Sequence, residues 1–146
     1  IGSSNKHRFK IEEDLEAFPN IKLHTQIDNI AELMLKADLA LGAGGASTWE
    51  RIALGLPSII ITIADNQIAF TKDLFNDGYI NWLGSFHEVN EQIIYDALID
   101  SIANSNQVQK QSQKCQMLVN VKGAKFVSRL LTDDSSDVPK KSENLS

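Results

Sequence analysis

The sequence predicts an α/β domain, a Rossmann-like parallel sheet with helices on both faces. Three observations carry this expectation. From Asn20 to Leu83, short apolar runs rich in β-branched residues alternate with helix-period segments, the βαβα order of a parallel sheet covered by helices. A glycine-dense turn, Leu41 to Glu50, joins one of these runs to a helix. The 146 residues are 42% hydrophobic and 23% charged, which supplies a real core for one domain and excludes a second full-sized one.

The elements follow in order. Strands are expected at Ile21–His24, Asp38–Gly42, Ser58–Ile63 and Tyr79–Leu83. Between the first two, Asn29 stands as a helix cap with Glu32 returning as third residue. Ile30, Leu33, Met34 and Ala37 then fall at i, i+3, i+4 and i+7, a core stripe. A second helix, Thr48–Leu54, stops at Gly55 with Pro57 just beyond. A third, Gln67–Asn76, turns Ile68, Phe70, Leu74 and Phe75 mostly inward and ends near Gly78. Beyond Gly84 the pattern is purely helical: Val89–Ile102, an Asn-Ser-Asn break, Gln107–Val119, and a short helix at Ala124–Leu131. The ordered domain is expected to span residues 1–131. The polar tail, Thr132 to Ser146, buries too little apolar surface to offset its ordering entropy and is expected to stay disordered.

Charge and composition remove several function classes. With 14 Lys+Arg against 19 Asp+Glu, a net charge of -5, the chain lacks the basic footprint of a nucleic-acid binder. The longest apolar run, Pro57 to Ala64, falls far short of the ~20 residues of a membrane span. Cys115 is the single cysteine, which rules out an internal disulfide and suits a reducing cytoplasm. His7, His24 and His87 are isolated in sequence, and no group has metal-ligand spacing, so neither a metal nor a cofactor is expected. Trp49 and Trp82 read as packing residues, and Glu12-Glu13-Asp14 as a solvated helix face.

The richest chemistry sits at Gly42-Ala43-Gly44-Gly45-Ala46-Ser47-Thr48-Trp49-Glu50. Glycines let backbone approach a ligand closely, and the free N–H groups and dipole of a helix start attract anions. The turn lacks the Gly-Lys-Ser/Thr ending of a P-loop and the last glycine of a dinucleotide fingerprint. It is equally not a Gly-x-Ser-x-Gly elbow. A phosphate cradle and a tight packing turn both remain open. Ser47 and Glu50 have capping-box spacing; alternatively, Glu50 accepts from a ribose diol, whose paired donors suit two carboxylate oxygens. Asp65-Asn66-Gln67 follows the next strand, at the carboxyl edge where open α/β sheets bind ligands. Its amides suit sugar hydroxyls, and the other reading is a plain helix cap.

The stretch Ile27 to Gln67, with "GAGGASTWE", "GLP" and "ADNQ" in sequence, closely resembles the C-terminal domain of the UDP-2,4-diacetamido-2,4,6-trideoxy-β-L-altropyranose hydrolase family of pseudaminic acid biosynthesis. More distantly, it is similar to the N-acetylglucosaminyltransferase family that makes lipid II. The likeness extends weakly through "WLG" at Trp82–Gly84 and "LVNVKGA" at Leu118–Ala124. It implies the C-terminal half of a glycosyltransferase-B fold, truncated at its N-terminal edge, that binds a UDP-sugar. By the same resemblance, Ile27 meets the uracil edge through its backbone. Gly44, Gly45, Ala46 and Ser47 hold the diphosphate, Glu50 takes the ribose hydroxyls, and Asn66 and Gln67 face the sugar or adjacent phosphate. The family's catalytic His belongs to an N-terminal domain, so no catalytic residue is expected in this chain. That implies the nucleotide-binding half of a hydrolase releasing UDP and the free 2,4-diacetamido sugar; the alternatives are a UDP-N-acetylglucosamine-type transferase or a non-catalytic binding fragment. Two departures stand out. The chain opens Ile1-Gly2-Ser3-Ser4 without a Met, as a fragment does, and Asn120-Val121 replaces an expected Asp-Gly.

Overall fold

The computed structural model describes residues 1–118; the expected helix at Ala124–Leu131, the tail from Thr132 and the Asn120-Val121 departure lie outside them. The chain divides into two units, Ile1–Ala37 and the part from Asp38 onward.

The first unit holds α1 (Arg8–Leu15) and α2 (Ile30–Met34), neither with a buried residue. On α1, Arg8 Nε meets Glu12 Oε1 at 2.8 Å, with both side chains about 40% exposed, a pair of small energetic weight. Glu13 and Asp14 face solvent. Two expectations are corrected here. Residues 21–24 form no strand. A strand needs a ladder, whereas the Ile21 N–H closes a turn on Phe18 O, and the other backbone bonds here, among the described residues, reach Ile1: its amine donates to His24 O at 2.6 Å, and Gln26 N–H donates to Ile1 O. The Ile30–Ala37 stripe is not core either. Ile30 is 50% exposed, and past Met34 the backbone tightens into i→i+3 bonds, Lys36 to Leu33 and Ala37 to Met34, which breaks the 3.6-residue period. The Asn29 side chain bonds Glu32 Oε1 rather than a backbone amide.

In the second unit, β1 (Ala40–Ala43), β2 (Ser58–Thr62) and β3 (Asn81–Ser85) form a parallel sheet in the order β1-β2-β3. This is the open, Rossmann-like arrangement the sequence predicts. Central β2 is the most buried strand, as its unbroken apolar run requires. Between strands run α3 (Ala46–Ala53) and α4 (Ile68–Asn76), the latter entered through a 3-10 turn at Asp65–Gln67; α5 (Glu91–Ala103) and α6 (Ser105–Leu118) follow. β3 begins two residues later than expected because Tyr79 is engaged elsewhere: its N–H reaches back to Leu74 O at the end of α4.

Both crossover helices end in the same way. After α3, Gly55 N–H bonds Ile52 O and Leu56 N–H bonds Arg51 O; after α4, Gly78 N–H bonds Phe75 O and Tyr79 N–H bonds Leu74 O. These are Schellman ends, and Gly55, at φ +68°, occupies the left-handed region that side chains disfavour. α6 then caps what remains. Ser112 Oγ donates to Gly55 O at 2.6 Å, and Lys114 Nζ donates to Asp77 O while lying over the Tyr79 ring. Its ammonium sits where the α4 dipole favours positive charge.

Ile52, Ile60, Leu74, Ile80 and Cys115 form the buried core, with Phe70, Tyr79 and Trp82 packed against it. Of the apolar residues expected to face inward from α4, Leu74 is buried but Phe75 is 43% exposed. Burial pushes the Cys115 thiol pKa up, against the weaker pull of Lys114, which keeps it protonated and unreactive. Because Ile60 is fully enclosed on the central strand, Ile60→Ala should cost about 2–5 kcal/mol. Urea unfolding measures this as a lower midpoint at unchanged slope.

Candidate functional site

The register pairs Ala43 with Ile61, so the carboxyl ends of β1 and β2 finish side by side. The turn Gly44-Gly45 and the loop from Ile63 to Gln67 therefore share one sheet edge. Gly44 N–H continues the ladder by donating to Ile61 O at 3.2 Å. A Cβ on Gly44 would lie 2.8 Å from Thr71 Oγ1, 3.3 Å from Thr62 Cγ2 and 3.4 Å from Gln67 Oε1, so the backbone presses against α4 and β2 with no room for a side chain.

Gly45 is the N-cap of α3, and its N–H donates to Thr48 Oγ1 at 3.2 Å. The two glycine amides are thus already engaged. Those of Ala46 and Ser47, first-turn donors without intrahelical partners, have no acceptor among the described residues. No acidic residue occupies this first turn. The helix start therefore offers two open N–H groups and an uncancelled positive dipole end.

Below the turn lies a residue that the sequence reading passed over. Arg51 is 7% exposed, and among the described residues its hydrogen bonds all go to neutral acceptors: Nη2 donates to Ala43 O at 3.0 Å and to Thr48 Oγ1 at 3.1 Å, and Nη1 donates to Ser47 Oγ at 3.3 Å. Nε is buried without a partner, as is the hydroxyl of Thr71. Among the described residues no carboxylate comes within ion-pair distance of Arg51. Burial lowers its pKa, partly countered by the charge of Glu50. Helical period held the clue: Thr48, Arg51 and Ile52 stand at i, i+3 and i+4, the face α3 buries.

The remaining expected residues sort by position. Ser47 and Glu50 form no capping box, because the helix begins at Ala46 and Thr48 serves Gly45 instead. Glu50 is left exposed one turn into α3. Gln67 comes to the turn: its Oε1 accepts from Ile63 N–H at 3.0 Å, and its Nε2 is 3.8 Å from where a Gly45 Cβ would stand. Asn66 is exposed beside it, and no side chain of Asp65–Gln67 caps the turn or α4. Ile27 belongs to the first unit, 37% exposed, after Gln26 at φ 52°. Trp49 lies 5.3 Å from Phe70, ring to ring, and Trp82 Nε1 donates to Gly84 O. His87 stacks on exposed Phe86. His7 and His24 belong to the first unit, and His87 follows β3 in the second.

Residues 1–130 match the profile of the Glycosyltransferase family 28 C-terminal domain. Similar proteins include the spore coat polysaccharide biosynthesis protein SpsG of Bacillus subtilis, 32% identical over 65% of this chain and 28% of its own length. Another is the UDP-N-acetylglucosamine–N-acetylmuramyl-(pentapeptide) pyrophosphoryl-undecaprenol N-acetylglucosamine transferase of Rickettsia massiliae, 29% identical over 73% of this chain and 29% of its own. The same-named transferase of Lactococcus lactis is 29% identical over 63% and 27%. The chain thus spans under a third of the length of these relatives. No solved structure matches it.

The contact at Gly44 makes a direct prediction. Gly44→Ala should destabilise the protein by about 1–3 kcal/mol through overpacking. In Gly44→Ala/Thr71→Ala, where the opposing hydroxyl is gone, thermal melts should show most of that loss recovered as a non-additive coupling.

Proposed function

This chain belongs to the glycosyltransferase family 28 C-terminal domain family, and from that premise we propose that it is the nucleotide-sugar-binding part of a two-domain enzyme, holding the diphosphate of a UDP-sugar at the turn between β1 and α3. One observation carries the reading: the open Ala46 and Ser47 amides sit at a helix start above a buried guanidinium that has no ion-pair partner among the described residues. In this reading Ala46 and Ser47 supply the N–H donors and Ser47 a hydroxyl. Gly44 and Gly45, whose own amides are engaged, contribute closeness by having no side chain. Glu50 takes the ribose hydroxyls from the exposed face of α3. Asn66 and Gln67, on the neighbouring loop, face the sugar or its phosphate.

In the complete enzyme, water attacks the anomeric carbon, the C–O bond to the diphosphate breaks and its electron pair leaves with UDP. This chain's part is to stabilise that growing negative charge with preorganised donors, while the base acting on water lies outside it. The hydrolytic outcome is supported by the likeness of Gly42–Glu50 and Ala64–Gln67 to the hydrolase family. A transferase, in which an acceptor hydroxyl replaces water, is supported equally by the relatives whose names describe N-acetylglucosamine transfer. Product analysis of the complete enzyme with and without an acceptor separates the two. A cytoplasmic setting is supported by the lone, buried thiol of Cys115; no helix among the described residues is long and apolar enough to cross a membrane.

Calorimetry on the 146-residue chain tests the site. UDP should bind, and a UDP-sugar should bind without turnover. Glu50→Ala should weaken UDP by roughly ten- to a hundredfold, the loss of hydrogen bonds to a charged group, and leave pyrophosphate binding unchanged, whereas Gly45→Asp should abolish both. Unchanged affinity in the two variants would remove the cradle and the ribose clamp together.

A further inference from the structure

We propose that Arg51 is a positioning residue for the bound anion: from beneath the turn it orients the Ser47 hydroxyl outward and holds, without an ion-pair partner among the described residues, a positive charge that a ligand at the start of α3 meets. This rests on the diphosphate reading above and adds to it the device that makes the turn selective for charge.

The geometry supports two effects. First, a serine hydroxyl carries one proton and two lone pairs. Because Arg51 Nη1 donates to Ser47 Oγ at 3.3 Å, one lone pair is spent on the protein side, and the proton is free to point to the open side of the turn. Ser47 is thereby set as a donor, the role an anion needs. The same guanidinium holds Thr48 Oγ1, which in turn accepts the Gly45 N–H, and it holds Ala43 O at the end of β1. One side chain therefore ties the last strand residue, the cap and the first helical turn. That fixes the direction of the two open amides.

Second, among the described residues the charge has no ion-pair partner. Burying a cation without a carboxylate partner is costly, and here three neutral acceptors satisfy only the two terminal nitrogens while Nε finds nothing. A Cβ on Gly42 would come within 3.0 Å of Nη1, so the guanidinium sits directly under the end of β1, within the low-dielectric layer of the site. An independent observation points to the same place. Thr71, 1% exposed and carried on α4, faces Gly44 with its hydroxyl unpartnered. Among the described residues these two buried polar groups beside one glycine turn lack partners, an arrangement that suits a site drawing its counter-charge from a ligand. A purely structural clamp gives the opposite expectation, since its removal lowers stability and leaves ligand affinity untouched.

The test compares wild type, Arg51→Met and Arg51→Lys by ligand-free melting and by calorimetric or NMR affinity for UDP and for uridine. Arg51→Met, which keeps the aliphatic packing and removes the charge, should melt no lower than wild type. It should lose about tenfold or more of its UDP affinity while uridine affinity is unchanged. Arg51→Lys, which keeps the charge but cannot reach all three acceptors, should lose roughly three- to tenfold for UDP only. If Arg51→Met does not fold, Arg51→Lys decides. Wild-type UDP affinity in a folded variant, or equal losses for UDP and uridine, overturns the role of Arg51 while the diphosphate reading stands. Failure of wild type itself to bind UDP overturns both.

Discussion

Everything at the candidate site depends on one close approach, the backbone of Gly44 against Thr71 and Thr62 with no space for a methyl group. That contact brings the end of β1 onto α4 and lets Gly44 N–H extend the ladder to β2. Two residues on, α3 begins at Ala46, and its first two amides have no acceptor among the described residues. The inner side of the turn is closed by tight packing and by a guanidinium, and the outer side is open. The asymmetry follows from sterics and hydrogen-bond supply, and no lysine is required for it.

The rest of the second unit serves to hold that arrangement. Both crossover helices end on a glycine whose released carbonyls need partners, and α6 brings Ser112 to one end and Lys114 to the other. Cys115, between them in sequence, is fully buried in the core with its thiol directed at Tyr79 O. One helix thus fastens the ends of α3 and α4 opposite the site.

What could be read in advance was whatever local chemistry decides. The three strands that pair and the glycine ends of α3 and α4 follow from short-range pattern, whereas α5 starts past its expected Val89, at a cap where Asn90 Oδ1 accepts from Ile93 N–H. Ile21–His24 looked equally strand-like, but a strand exists only with a ladder, and pairing is not written in the run itself. The capping box illustrates the same limit. Ser47 and Glu50 have its spacing, yet the tight exit from β1 starts the helix at Ala46 and gives the role to Thr48. Arg51 carries no motif of its own, and only the helical period it shares with Thr48 and Ile52 places it inward. The family likeness pointed to the turn as the nucleotide site, and the geometry adds which amides at that turn are free.

The most direct measurement is a proton–nitrogen correlation spectrum of the chain during addition of UDP. The account predicts that the Ala46 and Ser47 amide signals move furthest, with Gly44 nearly still because its hydrogen bond to Ile61 is already made. Movement confined to the opposite cleft around Asp100, Gln107 and Lys114, with Ala46 and Ser47 unchanged, would contradict it.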